Sequence, residues 1–134
     1  MKQLLAFAAL LPLLLGCSSV NEAVVGNPTE PAPVDYRSIA LAGLKTTLFD
    51  PYSVRDAQIS QPQWLGSWNL GEGNGWVVCF RGNAKNRMGA YTGIKDTAIL
   101  IRGNKVLATN SDLPPNSYYC GSAVFGPFPE IEAA

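Results

Sequence analysis

Arg81, Lys85 and Arg87, close to Tyr91, form a short basic and aromatic stretch that could hold an anion or a partner surface. Asp96 lies near enough in sequence to neutralise part of it. Trp64, Trp68 and Trp76 stand near glycines and could stack on sugar rings, although Trp76 alternates with Val78 and Phe80 as a core residue does. Asp50, Asp56 and Glu72 could supply the two acids, about 5 to 9 Å apart, that glycoside hydrolysis needs. The chain has no histidine, which removes Ser-His-Asp and Cys-His mechanisms and imidazole metal sites. Cys79 has neither a C-x-x-C partner nor an imidazole to activate it as a nucleophile. Gly71-Glu72-Gly73-Asn74-Gly75 superficially matches a dinucleotide loop, but it precedes a strand and no helix follows. A non-enzymatic role with no catalytic residue, metal or cofactor is therefore the leading expectation, ahead of a glycan-binding or anion-binding module and a carboxylate hydrolase.

The elements that must position these residues fit a single domain. The 134 residues carry ten basic and ten acidic side chains and only 15% charged residues, so there is no electrostatic footprint for nucleic acid. Asp35 is placed to cap a helix over Tyr36 to Phe49, whose stripe is Ile39, Leu41, Ala42, Leu44 and Leu48, and Pro51 stops it. Val54 to Ile59 reads as extended, and Trp64 to Gly75 as a Gly-rich connection. From Gly75 the period becomes two: Trp76, Val78 and Phe80 face one way, and Val77, Cys79 and Arg81 the other, as in a central strand. Tyr91 to Arg102 and Val106 to Ala108 are further strands, joined by a tight Gly103-Asn104 hairpin. The predicted fold is α+β, with one N-terminal helix on an antiparallel sheet of three or four strands. Residues 35–134 would form this domain, with Glu130 to Ala134 a flexible end. A core this small calls for an extra constraint.

The N-terminus carries an address. Met1, Lys2 and Gln3 give a short basic start, and Leu4 to Leu15 an apolar run too short for the roughly 20 residues a membrane span requires. Leu14-Leu15-Gly16-Cys17 resembles the lipobox of bacterial lipoproteins. The resemblance implies diacylglycerol attachment to the Cys17 sulfur, cleavage between Gly16 and Cys17, and acylation of the new amino group. Several acyl chains on one residue suffice for stable anchoring. Ser18 rather than Asp after the lipidated position implies, by the same resemblance, an outer-membrane destination facing the periplasm. Residues 17–34, with Pro28, Pro31 and Pro33, read as an extended tether reaching at most roughly 56 Å.

With Cys17 assigned to lipid and the domain in an oxidising compartment, Cys79 and Cys120 are expected to form a disulfide. It would pin the C-terminal segment onto the sheet. Two further segments, Phe49-Asp50-Pro51-Tyr52-Ser53-Val54-Arg55 and Asn83-Ala84-Lys85-Asn86-Arg87-Met88-Gly89-Ala90-Tyr91-Thr92-Gly93, resemble a D-P-x-S and N-A-K-N-x-x-G-x-Y-x-G pattern of small proteobacterial envelope proteins. That resemblance implies fold and compartment, without an activity. Read from the residues alone, Asp50-Pro51 and the Asn and Gly positions serve turns. The partners expected are the membrane through acylated Cys17 and another envelope protein or peptidoglycan.

Overall fold

The computed structural model describes residues 26–68 and 73–133. Gly16, Cys17, the signal segment and Glu72 lie outside the described residues. Helix α1 spans Tyr36–Thr47 and is followed by a single 3-10 turn at Pro51–Ser53. The strands are β1 (Arg55–Ser60), β2 (Gln63–Trp68), β3 (Gly73–Asn83), β4 (Lys95–Arg102), β5 (Lys105–Leu113) and β6 (Phe125–Pro127), and a short helix, α2, covers Pro129–Glu132. They form one sheet of six strands in the order β5-β4-β3-β1-β6, with β2 also paired to β3. All the pairings are antiparallel.

The helix-on-antiparallel-sheet architecture matches the sequence reading, but the sheet is larger than three or four strands. The residues from Trp64 onward, expected as a connection, are instead β2 and the start of β3. Gly66 and Gly75 obscured a hairpin in which Trp64 sits opposite Trp76. Gly75 is needed there, because a Cβ would lie 2.8 Å from the Ile101 carbonyl oxygen. β3 is long enough to pair with β2 along its first half and with β1 along its second. Gly103 (φ 55°) and Asn104 (φ 61°) form the expected hairpin, both in the left-handed region that such two-residue turns require.

The alternation along β3 holds. Val78 and Phe80 join Ala40 and Leu44 of α1, Ile99, Ile101, Phe128 and Ile131 in a core on one face. Val77 and Cys79 join Ala98, Leu100 and Cys120 on the other. Within α1 the buried positions are Ala40 and Leu44, while Ala42 of the predicted stripe is exposed. The helix ends at Thr47, before Pro51, when the Leu48 amide bonds back to the Leu44 carbonyl. Asp35 occupies the N-cap position without a side-chain bond, and its carbonyl instead accepts the Ser38 hydroxyl at 2.9 Å.

Both ends of the predicted domain make specific contacts with the rest of the fold. The C-terminal end is not frayed through residue 133: Phe128 and Ile131 are fully buried, and Arg37 grips Glu130 through two bonds of 2.7 and 2.8 Å. At the other end, part of the predicted tether belongs to the domain. Pro33 is buried, the Glu30 carbonyl accepts the Trp76 indole N–H at 3.1 Å, and the Glu30 carboxylate accepts the Gly103 amide at 3.0 Å.

Candidate functional site

The chain between β3 and β4 is not extended, as Tyr91 onward was expected to be, but folded on itself by its own amides. The Asn86 side-chain oxygen accepts the Met88 and Ala90 amides at 2.9 and 3.1 Å. The backbone adds Asn86 N–H to the Ala90 carbonyl and Gly89 N–H to the Asn86 carbonyl. Asn83 Oδ1 accepts the Gly93 amide at 3.2 Å. Gly89 and Gly93 have φ of 74° and 99°, a conformation that other residues reach only with strain.

This loop is bolted to the 3-10 turn that follows α1. Ser53 Oγ accepts the Lys85 amide at 2.8 Å and donates to the Asp50 carbonyl at 2.7 Å. Tyr91 donates its hydroxyl to the Ser53 carbonyl at 2.6 Å, and the Arg55 guanidinium lies 3.6 Å from the Tyr91 ring centroid. The two segments set apart in the sequence therefore form one interlocked unit, and its turn residues are in structural use.

Beside this unit, at the end of the sheet, lies a cleft of about 430 Å³. Phe49, Gly82, Lys85, Arg87, Met88 and Lys95 are among its walls, with Thr92, Thr97 and Ser111 adding hydroxyls and Asp112 one carboxylate. The Gly82 floor is tight, since a Cβ there would meet the Phe80 ring at 2.6 Å. The cations are held without being neutralised. Lys85 Nζ lies 5.6 Å from the Tyr91 ring centroid and the Arg87 guanidinium 5.1 Å from that of Phe49. Among the described residues, the carboxylates in ion pairs are Glu130 with Arg37 and Asp96 with Arg81, so Lys85, Arg87 and Lys95 have none.

The predicted basic face is thus divided. Lys85 and Arg87 line the cleft and Tyr91 supports Lys85 from behind, whereas Arg81 points to the opposite face of β3. There Arg81 makes a two-pronged contact with Asp96 at 2.8 and 2.9 Å, donates to the Pro115 carbonyl at 2.9 Å, and stacks 4.0 Å from the Phe125 centroid. The bonded carboxylate of Asp96, itself fully buried, raises the guanidinium pKa above its ordinary value and keeps it charged. Lys95, which sequence reasoning missed, replaces Arg81 at the cleft. Only the β3–β4 pairing, which sets Gly82 opposite Lys95, could have signalled it.

Cys79 and Cys120 are bonded, with Cα atoms 5.8 Å apart, and the segment from Leu113 to Val124 is drawn across the sheet face that lacks a helix. Trp64 is buried and meets Trp76 edge to face at a 5.5 Å centroid distance. With Tyr118 and Tyr119 they line a groove of about 520 Å³. Asp56 is exposed at a bulge of β1, and near it Glu132 spends its carboxylate on the Ala57 amide at 2.7 Å. Asp50 belongs to the turn before β1, so the described acids of the predicted hydrolytic set lie in separate structural features.

Comparisons with protein-family models, with curated proteins and with solved structures find no match. Among the described residues no helix is long and apolar enough to cross a membrane, and no group of three or more metal-ligating side chains occurs.

Proposed function

We propose that this protein is a lipid-anchored component of the bacterial cell envelope with a non-enzymatic interaction role, attached through acylated Cys17 and facing the periplasm from the outer membrane. The observation that carries the reading is the Cys79–Cys120 disulfide in a small domain, because such bonds persist in oxidising compartments. The Leu14-Leu15-Gly16-Cys17 sequence supplies a means of reaching one. The basic cleft supports binding over reaction: it offers cations, hydroxyls and a lone acid, Asp112, where hydrolysis of a glycoside takes a matched pair.

Metabolic labelling with a palmitate analogue, followed by membrane fractionation and intact mass, tests the assignment. The wild-type chain is expected to be labelled, sedimented with membranes and shortened by the segment before Cys17, and Cys17→Ser to be neither labelled nor shortened. Identical behaviour of the two chains overturns the reading. A second reading, glycan binding, is favoured by the aromatic groove, where Tyr118 is 59% exposed beside Trp64 and Trp76. Tyr118→Ala should then lower retention on purified peptidoglycan.

A further inference from the structure

We propose that the cleft lined by Lys85, Arg87 and Lys95 binds the carboxylates of an acidic peptide, with Phe49 and Met88 gripping apolar side chains beside them. The inference rests on the interaction role above and names the ligand of that same site. It begins from charge held ready. Lys85 and Arg87 sit against aromatic rings, and no described carboxylate pairs with them or with Lys95. Stacking on a ring fixes a cation in place while leaving its charge available to a ligand. The surrounding loop is already ordered by the side chains of Asn83 and Asn86, so a ligand would not have to order it first.

The ligand class follows from what the loop has spent. Phosphate sites are commonly built from several free backbone amides turned into one concavity. Here the amides of Lys85, Asn86, Met88, Gly89, Ala90 and Gly93 are all bonded within the protein. What remains is side-chain charge, hydroxyls and an apolar rim. Met88 is 90% and Phe49 58% exposed, which suits a peptide with side chains beside its acids better than a bare inorganic anion. Among the described residues, Asp112 is the one carboxylate lining the cleft beside three cations, which leaves it net positive.

The cleft lies at the other end of β4 from Glu30. Glu30, where the chain leading from Cys17 joins the domain, is bonded to Gly103 just beyond the end of β4. Lys95 opens the same strand, so at about 3.3 Å per residue the cleft lies roughly 25 Å along the sheet from the point of attachment. Carboxylates of this kind occur on the cross-linking peptides of a wall polymer and on acidic segments of envelope proteins.

The test uses the mature, acylated protein embedded in nanodiscs of zwitterionic lipid, so that its acyl chains are already occupied. It is assayed for co-sedimentation with purified peptidoglycan, for binding a fluorescent peptide of alternating glutamate and phenylalanine, and for binding anionic phospholipid vesicles. The proposal expects the peptide, the wall polymer or both to be bound, with affinity falling about tenfold or more in K85A/R87A/K95A and falling with added salt. Binding only to the wall polymer identifies its peptides as the source, and binding only to the free peptide an acidic protein segment. Lys45 and Lys105 are exposed away from the cleft, and K45A/K105A should stay within about twofold of wild type. Absence of binding to both carboxylate probes, an equal loss in both variants, or tighter cleft-dependent binding to vesicles overturns it. Anchoring is read at Cys17 and ligand binding at the cleft, so failure of one is distinguishable from failure of the other.

Discussion

Arg81 and Lys85 are four residues apart, yet they belong to regions with opposite demands. Arg81 lies on the face of β3 that carries no helix. There the sheet is covered by an irregular segment, tied down by the Cys79–Cys120 bond and by Arg81, which pairs with Asp96 in the sheet and donates to the Pro115 carbonyl of the cover. Lys85 lies beyond the end of β3 in a loop whose hydrogen bonds are all neutral, with its own ammonium resting on the Tyr91 ring. A charge that satisfies a buried partner cannot also serve a ligand. The hydrogen bonds that order the loop come from Asn, Ser and Tyr side chains and backbone amides, and its cations have no carboxylate partner among the described residues.

The largest break in this comparison should come from the disulfide. Its sequence separation is 41, and on the chain-entropy model Cys79→Ser with Cys120→Ser should cost about 4 kcal/mol in urea unfolding. The effect falls on the irregular cover, so the cleft should be altered only by way of global unfolding. Ser60→Ala, which leaves a buried amide without its acceptor, should cost about 1 to 2 kcal/mol by the same measurement.

On the other side of the comparison, Tyr91→Phe removes the hydroxyl bond to the Ser53 carbonyl and should cost about 1 kcal/mol or less. It should also raise amide exchange locally in residues 84–93. The smallest effect is at acid pH. Arg37, bonded to Glu130, holds that carboxyl below its usual value. A carboxyl with a depressed folded-state pKa contributes stability above its unfolded pKa and loses it as pH falls through the folded value. Glu130→Gln should therefore lower stability slightly at neutral pH and flatten the acid limb of the stability curve. An unchanged acid limb would show that this exposed pair adds nothing.

The parts of this division that the sequence announced were those with strong periodicity. The alternation of Trp76, Val78 and Phe80 against Val77, Cys79 and Arg81 gave both faces of β3 and placed Arg81 with Cys79. Proximity in sequence nevertheless grouped Arg81 with the loop cations, because alternation assigns a face without saying what waits on it. β2 was hidden because glycines signal turns, and Gly66 sits inside a strand. β6 is too short, and too rich in Gly126 and Pro127, to show any period. Lys95 became a cleft residue through its register opposite Gly82, a long-range pairing that no local pattern encodes. The closing segment carries no periodic signal, because Pro129 and two acids surround a single apolar residue, Ile131, whose burial depends on a core made elsewhere.

The most direct test sets Arg81→Ala beside K85A/R87A/K95A in urea unfolding of the oxidised, full-length chain. Removing the guanidinium leaves Asp96 buried without its ion-pair partner and should cost about 3 kcal/mol. The triple variant, although it deletes three charges and two ring contacts, should stay within about 1 kcal/mol of wild type. Equal losses in the two variants, or a larger one in the triple, would contradict the division between cations that hold the fold together and cations left free to bind.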